Sequence, residues 1–226
     1  MNSKKNPWLM IQDNEFEDAI KLIDNEFEKT QDYFILYNKV LALFHLKKYS
    51  EALLLIERLI KFRKGDTDAD FINLGIAHWI LGKKTEAIET WLQAENSMFK
   101  DAAGGIEIQV FLYFGAIKTE QDKLKSNSLK ATKKLLKSKR SINWPGPLGH
   151  YLLGDITEDQ LFSYVVNIPI LKERQLCQAH FVSAIGKLAA GHVEEYYKKL
   201  EDCISYGSSA YLEQMYYMAK GELETR

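Results

Sequence analysis

The sequence predicts an all-α fold of stacked helix pairs, and three observations carry that expectation. A motif of small and apolar residues recurs with a period near 34 residues. Only 4 Pro interrupt 226 residues, and apolar positions return at three- and four-residue intervals through most of the chain. The motif is clearest in Leu74-Gly75, Leu81-Gly82-Lys83-Lys84, Ala87-Ile88, Trp91 and Ala94. Related halves stand earlier, at Leu46 to Ala52 with Ile56 and Leu59, and at Phe16 to Ile20 with Ile23. Small residues at each helix crossing let neighbouring helices approach closely, as stacked helix-turn-helix arrays require. One continuous domain, 1–226, is expected, with regular repeats over 1–140 and an irregular part over 141–226.

Asp13-Asn14 can cap a first helix over about 15–29, with Phe16, Ala19, Ile20, Ile23 and Phe27 on one face. A second, over about 32–46, is apolar nearly all round, as befits a helix covered on both sides. A third opens at Tyr49-Ser50-Glu51 and ends before Gly65. Helices over 71–81 and 85–98 are split by Gly82, which takes a left-handed helix end without steric cost. Gly104-Gly105 breaks the chain before an apolar helix over 106–119 and a basic amphipathic one over 128–138. The run Trp144-Pro145-Gly146-Pro147 predicts a rigid turn. Thr157 to Gln160 fits a capping box opening a helix over about 158–166. A final pair, 173–190 and 192–206, is split by Gly191, and a last helix runs over about 208–223. Laying Gly191 on Gly82 places Glu195 on Glu86, Leu200 on Trp91 and Cys203 on Ala94, while the bulky Tyr196 falls where Ala87 stands.

These segments resemble the tetratricopeptide repeat family through Leu74, Gly75, Ala87, Trp91 and Ala94, over 68–98, 33–66 and, less fully, the last pair. The resemblance implies a right-handed superhelical solenoid, here of about four helix pairs, whose first helices line a groove that receives a protein or peptide. A second resemblance covers about 140–220. Trp144-Pro145, Tyr151 to Leu161 and Leu176 to Phe181 look like the C-terminal half of the NlpI lipoprotein family. That likeness implies an adaptor role, without membrane anchoring because no lipobox is present.

Charge narrows the partners. The net charge of −1 gives no global attraction to nucleic acid or acidic membrane. Locally, eight acidic residues between Asp13 and Asp32 face only Lys21 and Lys29, and nine basic residues from Lys118 to Arg140 face only Glu120 and Asp122. The basic run lacks interleaved aromatics for base stacking, which favours an acidic protein partner over nucleic acid. Met1 to Trp8 lacks the apolar run of a secretory signal, and no stretch is long and apolar enough for a membrane span, so a cytoplasmic location is expected.

No chemistry is expected. The sequence contains no Gly-x-Ser-x-Gly, His-Glu-x-x-His or phosphate-cradling Gly-x-x-x-x-Gly-Lys-Ser/Thr motif. Cys177 and His180 stand at i and i+3, a spacing that can bind metal, and only Cys203 and His192 could complete such a site; all read as packing residues, so neither metal nor cofactor is expected. His45 and His78 read as core or groove residues, and Glu15-Glu17 and Glu194-Glu195 as solvated faces. The expected function is therefore non-catalytic protein binding, as an adaptor or, alternatively, as a bacterial immunity protein that occludes a cognate toxin. Candidate contacts are Asn38, Asn73, Trp79 and Tyr113 on the first-helix face, with Lys130, Lys133 and Lys137 as an electrostatic rim. The tyrosines near the C-terminus, Tyr196 to Tyr217, are expected to divide between core and exposed anchors.

Overall fold

A computed structural model describes residues 6–226, so the first five residues of the segment read above as lacking a secretory signal lie outside the described residues. The described chain is helical, with no β-strand among its residues. Its helices are α1 (Pro7–Gln12), α2 (Phe16–Thr30), α3 (Leu36–His45), α4 (Tyr49–Phe62), α5 (Asp68–Ile80), α6 (Lys84–Ala94) and α7 (Ile106–Lys118). There follow α8 (Asp122–Leu135), α9 (Gly146–Leu152), α10 (Glu158–Ser163), α11 (Leu171–Ala189), α12 (Val193–Ile204) and α13 (Gln214–Glu224). None of these helices is long and apolar enough to cross a membrane.

One turn joins the two helices of each pair. Asn14, Lys47, Gly82, Glu120, Gly154 and Gly191 all have φ between 55° and 80°, the left-handed region that ends a helix. After each, the next amide reaches back to a carbonyl five residues earlier: Glu15 to Met10, Lys48 to Leu43, Lys83 to His78, Gln121 to Ala116, Asp155 to His150 and His192 to Lys187, all at 2.8–2.9 Å. Successive left-handed residues are 33, 35, 38, 34 and 37 positions apart. Among the described residues, six such turns each join a pair of neighbouring helices, two of them after residue 140. The basic helix starts at Asp122 rather than residue 128, because the turn at Glu120 releases the chain there.

The crossing at the heart of the array depends on Gly75. A Cβ there would stand 2.1 Å from Trp91 Nε1, which instead donates to the Ile72 carbonyl at 3.2 Å. Ala87, Trp91 and Ala94 are fully buried, as are Leu200 and Cys203 in the matching places of the last pair. Tyr196 is accommodated by crossing inward, where its hydroxyl donates to Glu222 Oε2 at 2.7 Å. His45 and the C-terminal tyrosines make one aromatic cluster: His45 stacks on Phe16 at 4.4 Å and meets Tyr211 at 4.0 Å.

Helix α13 packs against α5, α11 and α12, with Gly221 lying over Ile80. Buried Glu222 accepts from Trp79 Nε1 at 2.7 Å and pairs with Lys118 at 2.6 Å, while Tyr49 donates to Glu224 at 2.9 Å. The segment before α13 returns to the first pair, where the Tyr211 hydroxyl donates to Asn14 Oδ1 at 2.8 Å.

Candidate functional site

The helix ends that face each other across the array build a polar cavity. The N-termini of α5, α7, α11 and α13 border a space of about 540 Å³. Asp68, in the first turn of α5, accepts from the Asp101 amide at 3.1 Å. Asp101 in turn accepts from the amides of Ala103 and Gly105 at 2.9 Å and of Glu107 at 2.7 Å, so it caps the start of α7. These bonds fix the 99–105 loop, and backbone pairing of Asp68 with Phe99 and of Phe99 with Asp66 sets Phe99 at the cavity mouth.

Gln178 of α11 organises the deep end. Its Oε1 accepts from Trp144 Nε1 at 2.5 Å, and its Nε2 donates to Glu107 at 2.8 Å and Glu213 at 2.5 Å. Glu213 is also paired with Arg174. Burial pushes the Glu213 carboxyl up, with Arg174 opposing. Glu107 rises well above the usual carboxylate range, first because it is buried and then because Glu213, Asp101 and Asp68 share its charge. Burial likewise brings Asp68 to about 6. Behind the wall, Arg63 holds Asp70 through two contacts of 2.9 and 3.0 Å, and buried Asn73 leaves its Oδ1 without a hydrogen-bond partner.

The mouth is apolar. Phe99 is 62% exposed and Leu171 38%. The segments carrying the mouth also expose Met98, Ile142, Ile168 and Ile170. Ile170, with φ of 68°, holds a strained backbone directly before α11.

The residues expected from sequence to make contacts lie elsewhere. Trp79 is buried under α13 through Glu222, Tyr113 is buried beneath Lys125, and Asn73 is enclosed. Asn38 is half-buried. Of these four, α13 covers Trp79, while Tyr113 is covered from α8 by Lys125. Lys130 and Lys133 are exposed on α8 and Lys137 just past its end. Cys177 faces Cys203 at 3.4 Å in the core, and His180 is held between Phe162 and Tyr206, 3.7 Å from Asp202. No group of three metal-binding side chains occurs among the described residues. Of the cavity residues, only Trp144-Pro145 and Gln178 belonged to motifs visible in the sequence; the acids at the starts of α5, α7 and α13, Asp68, Glu107 and Glu213, were the missed signal.

No protein-family model matches the chain, and no curated protein matches it.

Proposed function

We propose that the chain is a non-catalytic protein-binding module, a tetratricopeptide-like right-handed solenoid whose partner docks at the mouth of the acid-floored cavity. The observation that carries this reading is Phe99, a large apolar side chain 62% exposed yet fixed by backbone bonds on both sides, at the edge of a polar cavity. A rigid aromatic anchor beside unsaturated polar groups is the usual anatomy of an interface hot spot.

Site-specific photocrosslinking tests the reading. A benzoylphenylalanine at Phe99 is expected to capture one discrete protein in the source cell, whereas the same group at exposed Leu54 on α4 captures none. Equal or absent capture at the two positions would refute docking at the mouth. A second reading, a toxin-neutralising immunity protein, is favoured by the exposed lysines of α8, which suit an acidic partner. It requires capture by a crosslinker at Lys133 of the product of a neighbouring gene, and loss of that capture when Lys130, Lys133 and Lys137 become Glu.

A further inference from the structure

A second cavity, of about 260 Å³, opens where the end of α6, the 99–105 loop, α7 and the last turns of α8 meet. Gln109 of α7 lines it and is 4% exposed. Its Nε2 donates to Glu95 at 2.8 Å, whereas its buried Oε1 has no hydrogen-bond partner. A buried acceptor left open in this way costs free energy that an entering donor recovers. The charges beside it are unmatched as well. Glu95, Lys100 and Lys134 all line the cavity, yet none of the three makes an ion pair among the described residues. Opposite charges that share a small cavity without meeting leave a place for a molecule that carries both signs. Ile108 and Leu135 give the cavity an apolar wall.

We propose that this cavity binds a free α-amino acid with a short apolar side chain. Its ammonium group donates to Gln109 Oε1 and offsets the charge of Glu95, its carboxylate rests on Lys134 and Lys100, and its side chain packs on Ile108 and Leu135. The open acceptor sets this orientation. A simple carboxylate would satisfy the lysines but bring no proton to Gln109, and a simple amine would leave the lysines without an anion. The N-terminal residue of a polypeptide carries the same ammonium group but has an amide where the free amino acid has a carboxylate, which separates the two sources. The site stands apart from docking at Phe99 and does not depend on it.

The test is equilibrium dialysis of the full chain against radiolabelled L-valine, with N-acetyl-L-valine and L-valinamide as competitors. L-Valine is expected to bind, and N-acetyl-L-valine, which lacks the ammonium group, to compete about tenfold more weakly or worse. L-Valinamide, which lacks the carboxylate, binds more weakly than L-valine. Gln109→Met removes the open acceptor at similar volume; it weakens L-valine binding about tenfold and melts no lower than wild type, so the loss is not one of folding. Lys134→Met, at an exposed position, weakens L-valine and leaves L-valinamide unchanged, which decides the matter should Gln109→Met melt lower. No binding of L-valine at millimolar concentration, equal competition by N-acetyl-L-valine, or indifference of L-valine to Gln109→Met or to Lys134→Met would overturn the proposal. L-Valinamide binding as tightly as L-valine overturns the free amino acid as the ligand.

Discussion

At Gly75 the smallest residue meets the largest, and the position tolerates no side chain. Gly75→Ala puts a methyl group into the Trp91 ring and is expected to cost about 2–3 kcal/mol in urea denaturation, as overpacking of a rigid core does. Asp68 makes a prediction in pH. Its folded-state value of about 6 exceeds the ordinary 3.8, so folding takes up a proton between those values and stability falls as pH rises through that window. Asp68→Asn keeps the acceptor for the Asp101 amide and removes that loss. The variant is expected to be more stable than wild type by about 1–2 kcal/mol at about pH 8, with no gain at about pH 3.5. Gly75, Ala87, Trp91 and Ala94 were legible in the sequence because close crossing admits few residue types. Asp68, Glu107 and Glu213 were not, because a carboxylate on an amphipathic helix reads as solvated until the element covering it is known.

Two elements do more than fill the core. Helix α13 is fastened by Glu222, which takes Trp79, Lys118 and Tyr196 at once. Glu222→Ala strands the half-buried Lys118 charge and is expected to cost about 3 kcal/mol, with faster hydrogen exchange over 214–224. Slow exchange there in the variant would show that apolar contacts alone hold the helix. His45 couples the same region to acid. Burial, and then Lys220, lower its pKa from 6.5 to about 3, so its contribution is present above pH 6.5 and is lost as pH falls toward 3. On going from about pH 7 to about pH 4.5, wild type is expected to lose up to about 2 kcal/mol more than His45→Asn does, measured by denaturation at both pH values. The position of α13 was hidden from the sequence, since the period describes neighbours and says nothing of a helix that returns across the array. The helix α9 was hidden for another reason: Gly146 and Pro147 read as a turn, yet proline in a first helical turn costs no hydrogen bond.

Across the whole molecule the repeated turn is the unit of construction. Gly82 and Gly191 announced it in the sequence, whereas Glu120 adopts the same backbone at a steric cost and so passed unnoticed. Glu120→Gly is therefore expected to raise stability by about 0.5–1 kcal/mol, and Gly82→Ala, whose Cβ meets nothing, to lower it by about 1 kcal/mol. Opposite signs at two points of one array would establish that the turns are equivalent; equal signs would break the repeat at Glu120. The return of α13 to α5 and of Tyr211 to Asn14 also sets an order of events during translation. Each pair can close on its predecessor as it leaves the ribosome, but Ile80, Trp79 and Lys118 stay bare until residues 214–224 follow. Until then the apolar side of α5 that Gly221 covers is open to solvent, and bare surface of that kind is what draws holdases to a nascent chain.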